Sequence, residues 1–429
     1  MKGLIFTLLL TYGGALASLF NPVNGLLVYI CFAIIRPESM WYWAVGGGNY
    51  SRIVAIALLV GWALHGFGNW QFGRARGIVA ALILLWIWVP ISAMLARNQN
   101  VAWGYFESQS KIFLPFLVGI TTINSVARLK QLIWVIVLSL GYVGFELNMA
   151  YLGGFNRVLE DGFGGLDNNS VAIGMVTGFG MAFFLGLEAP GLWRKALAFG
   201  SAALMGHTIL LSFSRGGMLA LIITAVVGFL LIPKQPKHYV FFFLAILVAL
   251  RFTGQEVQDR FGTVLTEDKR LADYSVTSRM DLWAALWKCM LNNPLGIGPG
   301  HWRLIAHEFG FPLGKDGHST WLQIGAELGF VGLVSLLTFY FLCILRLLPL
   351  ARGKKLGVDP WFEITARMVI AALVGFMISA QFVTLPGLET PYYIALVGAG
   401  ALKLMSQPVT FQNEIVVEKQ ADPVFIPSF

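Results

Sequence analysis

The chain has 429 residues, of which 57% are apolar or aromatic and only 12% charged, about half the charged share of a soluble domain. With a mean hydropathy of +0.71, this excludes a soluble globular enzyme, a disordered chain and a disulfide scaffold. The net charge of +8 then bears on membrane orientation, and no nucleic-acid partner is expected. Cys31, Cys289 and Cys343 are an odd number without a CxxC, so neither a disulfide framework nor a zinc centre is indicated.

A helix needs ~20 apolar residues to cross a bilayer. In chain order, apolar runs lie near 3–20, 24–36, 52–68, 77–95, 105–124, 132–152, 170–187, 194–213, 217–232, 238–253, 320–348, 366–384 and 389–405. The pattern predicts an all-α fold, a polytopic membrane bundle of 12 or 13 spans. Asn21-Pro22 breaks the first two runs, which form either two crossings or one crossing with a re-entrant piece. The first run lacks a well-formed cleavage site and reads as a span or signal anchor. The expected organisation is an N-terminal bundle (1–253), a long loop (254–319), C-terminal spans (320–405) and a loose cytoplasmic tail (406–429).

One alternating set of loops carries thirteen basic residues, from Arg74 and Arg76 through Arg128, Arg194 and Lys234 to Lys354, Lys355 and Arg367. Only three acids accompany them: Glu188, Asp359 and Glu363. The positive-inside rule assigns this set to the cytoplasm. The opposite set, which includes 36–51, 153–169, 214–216 and 254–319, faces outward.

The stretch 254–319 is too polar to span, and loops of that length usually carry function. Within it, Thr277–Asn293 reads as an amphipathic helix, with Ser275, Thr277 and Ser278 as N-cap candidates. Met280, Trp283, Trp287 and Met290 recur at helical spacing. That face either lies in the membrane interface or packs on the bundle.

Three outward-facing features carry candidate chemistry. Arg215, in Ser214-Arg215-Gly216-Gly217, sits at a span boundary, where an arginine is costly unless solvated or paired. The alternative is an arginine snorkelling to lipid phosphate. Arg279, at the expected start of the loop helix, would add a bidentate guanidinium to a helix N-terminus suited to an anion. Taken alone it reads first as a surface arginine paired with Asp281 or Asp273. His318, where the loop meets the next span, has an imidazole able to take a proton from a hydroxyl nucleophile. His301 and His307 are possible helpers, and His65 and His207 read as satisfied core histidines. The glycine-rich segment 153–170 is either a substrate-binding loop with Arg157 as its cation or an ordinary connector. Glu327, roughly 13 Å deeper on the helix after His318, reads as a partner of the site rather than a catalyst. No HExxH or Asp-x-Asp spacing occurs, so no metal ligands are assigned.

Taken in order, the stretches SRGG (214–217), TSRMDLW with NNPLGIGPG (277–300) and GHSTWLQIGAELGFVG (317–332) resemble the O-antigen ligase and polymerase superfamily of membrane glycosyltransferases. The N-terminal part, from Met1 to about Trp62, looks closer to the superfamily's O-glycosylation ligases than to enteric ligases. The resemblance implies a bacterial inner-membrane enzyme with its active site on the periplasmic face. It implies an undecaprenyl-diphosphate-linked glycan donor, held by Arg215 and Arg279, and His318 as base for the acceptor hydroxyl. The expected acceptor is lipid A–core; polymerases extend another lipid-linked glycan, and related enzymes glycosylate proteins. Membrane lipids are the remaining partner, no cofactor is expected, and the reaction is expected to be inverting and metal-independent. A lipid-linked sugar transporter is the competing class, but no internal repeat is evident and the charged residues gather at one face.

Overall fold

The computed structural model describes residues 2–236, 269–353, 359–385 and 387–406, with isolated positions between 239 and 247. Most of the expected run 238–253 lies outside the described residues. So do 254–268, Lys237, His238, Lys354, Lys355 and the tail from 407; for 269–278 the description covers the backbone alone.

Thirteen longer helices are described: α1 (Lys2–Phe20), α2 (Pro22–Ile35), α3 (Tyr50–Leu64), α4 (Arg76–Met94), α5 (Gln99–Thr122), α6 (Val126–Leu152), α7 (Asn168–Glu188), α8 (Leu192–Leu211), α9 (Arg215–Leu231), α10 (Lys269–Asn292), α11 (Thr320–Ala351), α12 (Pro360–Ser379) and α13 (Thr390–Leu404). All but α10 coincide with an expected apolar run. Their starts are written locally. Asn21, Ser125, Asp167, Ser214, Ser319 and Asp359 each accept a backbone N–H of the following first turn through the side chain, as N-caps do.

Among the described residues, seven segments are long and apolar enough to cross a membrane, and α3 and α9 are shorter apolar helices. The chain is a multi-pass membrane protein. The expectation of 12 or 13 spans also counts α3, α9 and α13, which have 15, 17 and 15 residues, the run 238–253, and α5 and α8, whose apolar surface is diluted. Glu107 and Lys111 form an ion pair on α5, and α8 begins with Arg194 and Lys195. Lys403 of α13 is buried, its ammonium donating to the Ile120 carbonyl (2.6 Å) and to Asn124 Oδ1 (2.8 Å).

The first two runs form an antiparallel helix pair. Gly14 of α1 lies against Val28 of α2, and Gly25 of α2 against Ser18 of α1, where an added Cβ would stand 1.9 Å from the hydroxyl oxygen. Small residues at such crossings let backbones approach closely. α7 lies at the centre, packed by α8, α12, α9 and α6, and one apolar core runs through helices from both halves of the chain. The segments before and after the long loop therefore build one bundle.

Hydrogen bonds sort the connections to two ends. At one end Lys403 meets the 120–124 turn, Arg128 meets Asn24, and Arg367 donates to the Ala351 carbonyl. At the other, Asn156 donates to the Leu211 carbonyl, Arg157 to Ser39, and Thr320 to Val383. The first group draws on the basic loop set and the second on the opposite set.

Helix α11 is broken near its start. Gly329 has φ 67° and ψ −168°, a region essentially reserved for glycine. The carbonyls around the break take donors from elsewhere: Ala326 from Ile297 N, Glu327 from Gly298 N, and Leu328 from the Trp88 indole. Phe330 N in turn donates to Pro294 O. A Cβ on Gly329 would stand 2.3 Å from that same carbonyl oxygen and 2.5 Å from the Leu295 carbonyl carbon. Gly329→Ala should therefore destabilise the protein by at least ~1–3 kcal/mol, measured as a lower thermal midpoint in detergent. Gly13→Ala in α1, with no neighbour within 4 Å, should be neutral or stabilising by up to about 1 kcal/mol. Equal midpoints for the two variants would contradict the interlock.

Candidate active site

Three helix N-termini meet at the end of the bundle that carries the long loop. Asn168, in the first turn of α7, donates to the carbonyl of Ser212 (2.8 Å), just ahead of Arg215 at the start of α9. Gly216 lies against Phe382, whose ring is 6.2 Å from that of Trp283 on α10. The Trp283 indole donates to the carbonyl of His318 (3.3 Å), beside the N-terminus of α11. Free N–H groups and the positive end of the helix dipole make each of these termini favourable for negative charge.

The structure thus brings together Arg215, Arg279 and His318, three residues that the sequence spreads over a hundred positions. Arg215 is exposed, and Arg279 and His318 are half-buried. Burial disfavours the charged form of Arg279, and the nearby Arg215 adds to this, lowering its pKa from the usual arginine value. Two guanidiniums held this close repel one another, and a bound anion would relieve that repulsion. The His318 imidazole is held below its ordinary pKa by burial, then by Lys315 and Arg279, with Asp316 and Asp167 opposing. It is therefore neutral at neutral pH, the form that accepts a proton. Its backbone has φ 47°, in the left-handed region.

Two expectations about the loop helix change. α10 begins at Lys269, not at Thr277, because the run 269–278 contains neither glycine nor proline to stop it. Arg279 therefore lies well inside the helix and has no free N–H groups beside it; what lies near its guanidinium is Arg215 instead. The suggested caps Ser275, Thr277 and Ser278 are inside the helix as well, and the Asp273 pairing falls on a side chain outside the described residues. The apolar surface divides in two. Leu282, Leu286, Cys289 and Met290 are buried, with Leu286 against Gly317 and Met290 against Gly325 of α11, while Met280 and Trp287 are exposed.

Arg157 is engaged elsewhere: its guanidinium donates to the Ser39 carbonyl (2.7 Å) and lies 5.9 Å from the Phe163 ring centre. It ties the 153–170 segment to the turn after α2. His301 is buried, its Nε2 accepting from Asn98 N (2.9 Å) while Nδ1 donates to Pro299 O (3.0 Å), a structural strut. His307 is exposed, as is His65, which is bonded to the Gly61 carbonyl and is not a core residue. His207 is half-buried and bonded to Asn148, as expected.

Glu327 is buried. Its carboxylate accepts from Gly300 N (3.0 Å), Trp302 N (3.2 Å) and Gln323 Nε2 (3.0 Å). It ties the turn at Gly300 and Trp302 to Gln323 on α11. Sequence reading missed Gln323, Lys315 and Thr384. For Gln323 the available signal was its four-residue spacing from Glu327, which puts both on one helix face. Among the described residues, no group of three His, Cys, Asp or Glu is arranged to hold a metal ion.

No curated protein matches the chain. Residues 1–154 match a family of unknown function (DUF5935). Residues 200–337 match the O-antigen ligase family, a stretch running from α8 through α10 into α11 and holding Arg215, Arg279, His318, Gln323 and Glu327. This match supports membership of the O-antigen ligase superfamily.

Proposed function

We propose that the chain is an inverting, metal-independent glycosyltransferase that moves a glycan from undecaprenyl diphosphate to a hydroxyl of lipid A–core, on the periplasmic face of the bacterial inner membrane. The observation that carries this reading is the pairing of Arg215 with Arg279 beside His318 at three converging helix N-termini. A diphosphate leaving group gains charge as the glycosidic C–O bond breaks. Fixed guanidiniums in a partly dehydrated site stabilise that charge without a metal ion. The acceptor hydroxyl attacks the anomeric carbon from the opposite face and gives its proton to neutral His318. The C–O bond to the diphosphate breaks, undecaprenyl diphosphate departs, and the configuration at the anomeric carbon inverts.

The direct test incubates purified protein with lipid-linked glycan in EDTA, with and without lipid A–core. The expected result is transfer to core. Lengthening of the glycan without core would instead define a polymerase, and transfer only to an added protein a protein glycosyltransferase. Donor left intact in every arm would defeat the enzymatic reading and favour a transporter.

Arg215→Lys and Arg279→Lys should each lose most of their turnover with normal expression, since an ammonium keeps the charge but not the planar fork. Full activity in either variant, measured as donor consumption, would count against bidentate contact at that position.

The acid limb of the pH profile should report His318, because protonation removes the base. Turnover should fall as pH drops through a pKa lying below the ordinary histidine value. Lys315→Gln removes a cation that lowers this pKa, so its acid limb should move to higher pH with the plateau unchanged. Asp316→Asn should move the limb the other way. Coincident acid limbs for all three proteins would remove His318 from the pH-controlling step.

A further inference from the structure

We infer that Gln323 is the positioning residue for His318, the element that fixes the backbone on which the imidazole is carried; this rests on the reading of His318 as base. Gln323 is buried in the first turn of α11. Its Oε1 accepts from Gly317 N (2.8 Å) and from Thr384 Oγ1 (2.9 Å), while its Nε2 donates to Glu327 (3.0 Å). Gly317 is the residue immediately before His318, so the carboxamide grips the chain one peptide away from the imidazole.

The partners determine which way the amide points. Two donors, an N–H and an O–H, face one end of it, and a carboxylate oxygen faces the other. Turning it over would set NH₂ against the Gly317 N–H and oxygen against carboxylate. A glutamate at this position would place two carboxylates side by side, and a methionine would offer no bonds. Only a carboxamide of this length both accepts from Gly317 and donates to Glu327.

The grip is needed because His318 holds an unfavourable backbone conformation, with φ 47°. A non-glycine residue in that region costs ~1–3 kcal/mol and persists only where its surroundings enforce it. Trp283 holds the His318 carbonyl from the α10 side. Gln323 holds the preceding amide from the α11 side and is itself anchored through Glu327 to Gly300 and Trp302. The NNPLGIGPG turn and the histidine are thereby linked through two side chains, and Thr384 braces the pair from the turn after α12.

The test uses full-length protein in detergent and two readings. The first is carbethoxylation of His318 by diethyl pyrocarbonate, followed by peptide mass spectrometry, which needs no catalytic activity. In Gln323→Met, which keeps the volume and removes the bonds, labelling of His318 should rise several-fold. The second is turnover of undecaprenyl-diphosphate-linked glycan. Gln323→Met should lose roughly 10–100-fold in kcat, the scale of a misplacement near 1 Å, with donor Kd within about twofold. Added to His318→Ala, the same substitution should cost less than about twofold more, because residues acting as one unit are not additive. Wild-type labelling and turnover in Gln323→Met would overturn the inference, and so would a full further loss in the His318→Ala background. If His318→Ala itself turns over like the wild type, the base reading fails, and the labelling still decides whether Gln323 positions the ring. Should Gln323→Met not accumulate, the inference stands or falls on the same readings in Thr384→Val, which removes one of the two donors that orient the amide.

Discussion

The break in α11 at Gly329 is the constraint on which the rest of the site depends. Within a membrane bundle, carbonyls released by a broken helix need protein donors, since hydrocarbon offers none. Ile297, Gly298 and Trp88 supply them, and Phe330 returns a bond to Pro294. The Glu327 carboxylate adds Gly300 and Trp302 to the same junction. The long loop is thus fastened to the bundle by its backbone where α10 ends. Trp283, bonded to the His318 carbonyl and set against Phe382, then carries α10 and Arg279 toward Arg215.

A second consequence concerns charge. Three capped helix starts, two guanidiniums and Lys315 crowd positive potential into one half-buried region, and only Asp167 and Asp316 oppose it near His318. Such an arrangement costs stability on its own, because like charges repel more strongly where water is scarce. Burial first, and then Lys315 and Arg279, hold the imidazole in its neutral form. The positive charge that is costly here thus adds to burial in tuning the candidate base and favours an anionic ligand.

Much of this was legible in the residues. Apolar length is a local property, so twelve of the thirteen expected runs appear as helices, with starts at caps such as Asn21, Ser125 and Ser319. The alternation of basic and non-basic loops foretold which connections share an end. Arg215 stood out because charge at a span boundary is rare enough to need a reason; Arg279 and His318 stood out through the motifs that carry them. Less was legible where the answer lay in a contact. Arg157 looks as available as Arg215 in sequence, yet its guanidinium is taken by Ser39. Met280 and Trp287 share a helical period with buried Met290 but face outward. Gln323 is one polar residue on an apolar helix, and nothing local says that it faces Gly317.

The sequence by itself determined that this is a helical membrane bundle, how its ends alternate and which chemical groups gather on one side. Hydrophobic length, capping and the distribution of lysine and arginine are written residue by residue and act over a few positions. Only the tertiary structure decided which of those groups meet. Arg215 and Arg279 are 64 positions apart and His318 another 39 beyond, and those separations are closed by packing α10 against a broken α11. The left-handed backbone at His318 likewise has no sequence signal, because it is imposed by bonds from Trp283 and Gln323 that exist only once the bundle has formed.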